Sequence, residues 1–243
     1  MDDLTPSASK GCTMTLIVAM KADQAIILAA DSRGMMGDPR GLTAINDNQN
    51  KLYSLGHCGF GLAGASEIGA ALIDEYRKKG FDKPAPVDEV MNKISQESSE
   101  LFRKWFGDIP PEKRQHVVLT LAGYRNPEKP EPMIYVLDSG QNFAPMLMGA
   151  YPTLTGIPQY AVYLGHRYYD PSISAERAKA LAEYLINETA SQETKVGGCI
   201  RMAIITPEDG YKELTEDEVN EISQENASLN EKLREFFLKG GAK

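Results

Sequence analysis

Apolar runs broken by polar and glycine-rich punctuation divide the chain into short strands and longer helices. TLIVAM at 15–20 and AIILAAD at 25–31 are short and rich in β-branched residues or alanine, as in strands covered on both faces. The polar stretch 21–24 between them predicts a hairpin. SRGMMGDPRGLTAINDNQN, crowded with Gly, Asn and Asp, predicts a long loop, and KLYSLG and CGFGLAG predict two further strands. Helical spacing then takes over. Ile68, Leu72, Ile73 and Tyr76 form one apolar stripe that Gly80 closes. Pro86 opens a second helix in the first-turn position, with Val90, Ile94, Leu101 and Phe102 as its stripe. After a loop at 108–114, VVLTLAGY, PMIYVLD and APMLMGAY predict strands joined by the turn segments RNPEKPEP and SGQNF. SAERAKALAEYLINETASQ predicts a third helix capped by Ser174, CIRMAIIT a strand, and PEDG a turn. From Thr215 to about Lys239 the pattern is helical, and Leu229, Leu233 and Phe236 or Phe237 form a stripe that could dock. Strands and helices that come in separate runs predict an α+β layered domain rather than a doubly wound sheet.

Length and charge narrow the function classes. The 243 residues suffice for one large domain with a sizeable core. A net charge of -8, with no Lys/Arg run, argues against nucleic acid as a partner. No apolar run nears the roughly twenty residues of a membrane span. The three cysteines, Cys12, Cys58 and Cys199, are widely spaced and form no CxxC or Cys/His cluster, so neither a zinc site nor a disulfide framework is expected. A reducing cytoplasm is the simplest compartment. His57 and Cys58 are neighbours, but neighbours along a strand face opposite ways. The opening MDDLTPSASKGC is polar and reads as a short leader rather than a signal peptide.

Three local features carry candidate chemistry. AADSR puts Asp31 and Arg33 directly after a buried strand; Lys51 heads KLYSL; and GLAGAS places glycines between a strand and a helix start, where backbone N–H groups can meet a ligand. Each alone has an ordinary explanation as a solvated charge or a tight turn.

In this order, however, they resemble the β subunits of proteasomes and their bacterial relatives, which are N-terminal nucleophile hydrolases. In that family a threonine exposed by processing is followed by a strand, a turn and a strand ending in Asp-x-Arg. A lysine before an apolar-Tyr pair and an Ala-Gly turn opening the first helix come next. The corresponding residues are Thr15, Asp31-Ser32-Arg33, Lys51-Leu52-Tyr53 and Ala63-Gly64, with no gap between Thr15 and Asp31 and a somewhat longer loop from Asp31 to Lys51. GGCIRMAIITPEDGYKEL is similar to the family's late Gly-Gly, strand and Asp-Gly-Tyr segment. The resemblance implies a four-layer αββα sandwich over 15–222, preceded by a leader or propeptide-like segment at 1–14 and followed by a C-terminal helical extension at 223–243. It also implies a threonine-type peptidase without cofactor or metal, acting on peptides or unfolded proteins. A homo-oligomeric ring would enclose the sites, and an ATPase is the class of regulator it leaves open.

The resemblance assigns roles residue by residue. Thr15 is the nucleophile and its α-amine the base; Lys51 tunes that amine; Asp31 positions Lys51; and the Gly64 N–H receives the oxyanion. A supporting serine corresponds to Thr155 and a supporting aspartate to Glu193, while a second serine is replaced by Val196. Gly34, Leu62 and Ser66, with Gln49 nearby, correspond to the pocket for the side chain before the scissile bond. The residue before Thr15 is Met14 where the family has glycine, so Gly11-Cys12 and Thr13 compete as starting points. Strand phase favours Thr15 over Cys12, because an odd shift reverses side-chain facing. Two other readings stay open: a nonproteolytic ring subunit or binding module with a vestigial site, and a small-substrate amidase or transpeptidase on the same fold.

Overall fold

The computed structural model describes residues 15–38, 41–126 and 128–239. Strands β1 (Leu16–Ala22) and β2 (Ala25–Ala30) form the expected hairpin, with Lys21 facing Ile26 and Ala22 facing Ala25. The turn is therefore only Asp23 and Gln24, tighter than the 21–24 expected, and Gln24 takes φ 55. Alternation then sorts the side chains of β1. Leu16, Val18 and Met20 enter a core beneath helices, while Ile17 and Ala19 face a second sheet.

The stretch expected to be a loop contains a separate two-stranded ribbon, β3 (Gly34–Asp38) with β4 (Gly41–Asn46). This corrects the sequence reading. Among the ribbon's described side chains none is buried, and Met36 and Ile45 are exposed, so they impress no apolar alternation on the sequence. Then follow β5 (Leu52–Leu55), β6 (Cys58–Gly64), α1 (Ser66–Lys78), α2 (Val87–Phe106), β7 (Val117–Tyr124), β8 (Pro132–Asp138) and β9 (Pro145–Leu147). Pro86 caps α2 from just outside its first turn. Three elements go beyond the sequence expectation: β10 (Thr153–Gly156), the short helix α3 (Ala161–Tyr168) and, later in the chain, β12 (Gly210–Glu213). The chain closes with α4 (Ala175–Gln192), β11 (Arg201–Thr206), β12 (Gly210–Glu213) and α5 (Glu216–Lys239). Ser174 caps α4 by accepting from the Arg177 N–H, as its residue type predicts.

Two five-stranded sheets stack face to face, ordered β10-β1-β2-β11-β12 and β5-β6-β7-β8-β9, and all their pairings are antiparallel. Ile17, Leu28, Ala63, Ala122, Ile134 and Ile205 fill the space between the sheets. Phe60, Leu72, Tyr76, Ile94, Leu119 and Phe102 bury α1 and α2 on one outer face. Leu16, Val18, Ala182, Leu185, Ile186 and Met202 bury α4 on the other. These layers are the four-layer αββα sandwich. The first turns of α5 join the α4 core through Val219, and Asn226 donates to the Ala180 carbonyl (2.8 Å) and to the buried Glu183 carboxylate. The 222/223 boundary falls inside this single helix. No described helix is long and apolar enough to cross a membrane.

Candidate active site

The site forms where β1 begins and β2 ends, because the hairpin register brings those ends together. Asp31, directly after β2, is almost fully buried, and the hydrogen bonds its carboxylate makes among the described residues all come from donors. Its Oδ1 accepts the Leu16 N–H (2.9 Å) and the Lys51 ammonium (2.8 Å). Its Oδ2 accepts the N–H groups of Arg33 (3.2 Å) and Gly197 (3.1 Å). One carboxylate oxygen thus ties the backbone one residue past Thr15 to the lysine at the head of β5. Lys51 also donates to the Arg33 carbonyl (2.8 Å). Burial of Lys51 pushes its pKa below the usual lysine range, and the charge and hydrogen bond of Asp31 oppose that shift. Thr15 itself is buried, and its carbonyl accepts the Ile157 N–H at 2.7 Å.

Around this pair the chain builds a brace that sequence reasoning missed. Arg33 forks onto Asp47 through Nε (2.6 Å) and Nη2 (2.9 Å) and donates from Nη1 to the Thr194 carbonyl (2.9 Å). The Ser32 hydroxyl donates to the Asp47 carbonyl (2.6 Å), and the Ser32 N–H to the Gly197 carbonyl (3.0 Å). The pairing raises the Arg33 pKa and lowers that of Asp47, through their mutual hydrogen bond in each case. Gly198, at φ 73, could carry no side chain, since a Cβ there would meet the Asp47 backbone and the Ser32 hydroxyl. The Gly197-Gly198 pair and the Asp-x-Arg motif are visible in the sequence, but their contact spans 166 positions.

The other candidates fall into two groups. Gly64, at φ 101, lies against the His116 carbonyl so closely that a Cβ would collide with it, and Ala65 donates its N–H to the same carbonyl at 2.9 Å. Gly34 is covered by the Gln49 side chain. Leu62 is buried against Gly69 of α1, and Ser66 is the first, half-buried residue of that helix. Thr155 and Glu193 sit differently. Thr155 faces Ile17 in the sheet and shares a 2.9 Å hydrogen bond with Thr120 of the opposite sheet. Glu193 ends α4 and accepts the Lys195 N–H at 3.0 Å. Neither side chain bonds to Asp31 or Lys51. Val196 is fully buried in the α4 core.

Cys58 is buried, which pushes its thiol up to about 12, and His57 occupies the preceding turn. Among the described residues no group of three or more His, Cys, Asp or Glu side chains converges as a metal site would need. Met14, Thr13, Cys12 and Gly11 lie outside the described residues.

A family model described as Proteasome subunit matches residues 13–205. The chain belongs to the proteasome subunit family. Among solved structures, this proteasome-family chain is similar to Anbu (ancestral beta-subunit) from Yersinia bercovieri, with a TM-score of 0.72 and 16% identity over 94% of this chain and 99% of that one. It is similar also to the helical assembly of the Anbu complex from Pseudomonas aeruginosa, with a TM-score of 0.74 and 14% identity over 94% of this chain and 98% of that one. At such identities the likeness is one of fold. No curated protein matches the chain.

Proposed function

We propose that this chain is a threonine-type peptidase that cleaves peptide bonds through an acyl ester on Thr15. The observation that carries the reading is the buried Asp31 oxygen shared between the Leu16 N–H and the Lys51 ammonium, which fixes a cation beside the start of β1. In the proposed reaction the Thr15 hydroxyl attacks the substrate carbonyl, and its proton passes to the Thr15 α-amine, directly or through water. The Gly64 N–H receives the oxyanion. The amine then protonates the leaving group, and water hydrolyses the ester. An α-amine with an ordinary pKa of about 8 needs little tuning for this role, and a neighbouring ammonium lowers it further.

The chemistry requires a free Thr15 amine, whereas in the sequence Thr15 follows Met14. Removal of residues 1–14, or synthesis beginning at Met14 with that methionine trimmed, would supply it. The decisive experiment pairs intact-mass measurement with a fluorogenic peptide panel varying the residue before the scissile bond. We expect mass loss corresponding to residues 1–14 and a graded preference for apolar or neutral side chains over Arg or Asp. Gly34, Leu62, Ser66 and Gln49 place no formal charge at that pocket, and one methylene of fit is worth only about 1–3 kcal/mol. A clear preference for Arg or Asp would refute the pocket assignment. A full-length chain that cleaves no member would sink the peptidase reading.

That second outcome would favour a nonproteolytic subunit with a vestigial site. The observations on its side are the missing hydroxyl at Val196 and the engagement of Thr155 and Glu193 away from Lys51.

Assembly belongs to the same proposal. The outer part of α5 exposes Leu229, Leu233, Phe236, Phe237 and Leu238, an apolar surface suited to burial against another copy. A homo-oligomeric ring is the proposed state. The helical assembly named for the Pseudomonas aeruginosa protein makes an open arrangement of the same kind of head-to-tail contact the alternative. Sedimentation at monomer mass in both dilute and concentrated solution would contradict either. Unfolded-protein substrates, an ATPase regulator and a cytoplasmic site of action rest on the family resemblance and on the free thiols of Cys58 and Cys199.

A further inference from the structure

A cavity of about 540 Å³ opens at the C-terminal end of α2, outside the site described above. Its polar walls are Arg103 of α2, Arg114 and Gln115 of the connection to β7, His116 just before that strand, and Ser139 and Asn142 of the turn after β8. No Asp or Glu lines it. In a chain of net charge -8 this is a local reversal of sign.

Each basic group is held or left available in a particular way. Arg114 donates from Nε to the Ile109 carbonyl (2.7 Å) and from Nη2 to the Gly107 carbonyl (3.3 Å), which fixes the plane of its guanidinium. The ordinary explanation is that Arg114 only neutralises the partial negative charge at the end of α2. Arg103 stands in the last turn of α2 and shares that effect, but its side chain has no ion-pair or hydrogen-bond partner among the described residues and remains available to a ligand. Asp138, the acid immediately behind the wall, is already occupied: its Oδ1 lies 2.6 Å from His116 Nε2 and accepts the Gly140 N–H at 2.6 Å. The Ser139 hydroxyl oxygen accepts the Val117 N–H at 3.0 Å, which leaves its proton to be donated elsewhere.

We propose that this cavity binds an oxyanionic group, a carboxylate or a phosphate, between the guanidinium groups of Arg103 and Arg114, with the Ser139 hydroxyl as a further donor. Guanidinium forks match the paired oxygens of both groups. The volume lies within the roughly 300–1,000 Å³ of small-molecule pockets, so the ligand class is a small organic acid or phosphate ester rather than a bare ion. His116 joins this cavity to the candidate active site, because its carbonyl holds the Ala65 N–H and abuts Gly64 while the same residue lines the cavity. Binding here does not depend on the peptidase reading and is measurable without turnover.

The test is isothermal titration of the full chain with inorganic phosphate and, separately, with succinate, at matched low ionic strength. Arg103→Ala and Arg103→Glu are the variants of choice, since Arg103 is exposed and neither should disturb folding. We expect saturable binding of at least one probe, about tenfold weaker in Arg103→Ala and abolished in Arg103→Glu. Binding of phosphate alone or of succinate alone would identify the group the site takes. Absence of heat with both probes at 10 mM, or unchanged binding by Arg103→Glu, would overturn the proposal.

Discussion

Thr15→Ala is expected to abolish peptide hydrolysis, by about 10⁴-fold or more, while leaving the fold and its thermal midpoint essentially unchanged. Loss of a nucleophile leaves only the catalysis that binding and the oxyanion donor supply. Two structural anchors at this residue, in contrast, are backbone groups. The Thr15 carbonyl holds the Ile157 N–H, and the next amide, that of Leu16, holds Asp31. Both survive truncation of the side chain. Turnover of a fluorogenic peptide and a melting curve on the same preparation check the two halves of the expectation. Retained turnover in Thr15→Ala, together with an inactive Cys12→Ala or Thr13→Ala, would move the nucleophile upstream.

The parts of this site that the sequence displays are those written in local spacing. Thr15 and Asp31 flank the open end of one hairpin, whose two apolar runs and polar turn are legible, so their proximity follows from strand pairing. Lys51 at the head of a strand and Gly64 at the end of the next are legible as positions, but not as contacts. The brace of Arg33 on Asp47 and Thr194, and the Gly197 N–H on Asp31, depend on where two distant loops come to rest, which no periodicity encodes.

The elements that leave no signal in the sequence are likewise those with little apolar pattern. β3 and β4 leave Met36 and Ile45 exposed; β10 is only TLTG; α3 buries only Ala161 and Gly165 of AVYLGHRY; and β12 exposes Lys212 and Glu213. Elements such as α1, α2 and α4 carry a full apolar stripe, and these were visible.

Lys51→Ala should cost both activity and stability, and at least as much activity as Asp31→Asn. In the proposed mechanism the ammonium acts directly beside Thr15, whereas Asp31 acts by positioning it. Removing one partner of a buried ion pair typically costs about 3–5 kcal/mol, because the other charge is stranded. The loss here should fall near the lower figure, since Asp31 keeps the N–H groups of Leu16, Arg33 and Gly197. Lys51→Met keeps most of the side-chain volume and isolates the charge. Its difference from wild type should also depend on pH in a defined direction. Burial lowers the folded-state pKa of Lys51, while the unfolded chain keeps a value of about 10.4. Below the lowered pKa both states hold the proton, and this group adds no pH dependence. Between the two values the unfolded state alone holds it, so the stability of wild type relative to Lys51→Met rises with pH, by at most about 1.4 kcal/mol per unit. Over the same interval Lys51 loses the charge that the mechanism requires, so turnover should fall as stability rises. Urea midpoints and kcat/KM measured side by side from pH 7 to 10.5 test both trends. Near-normal kinetics in Lys51→Met would sink the charge-tuning role, and a stability difference that falls with rising pH would contradict the lowered pKa.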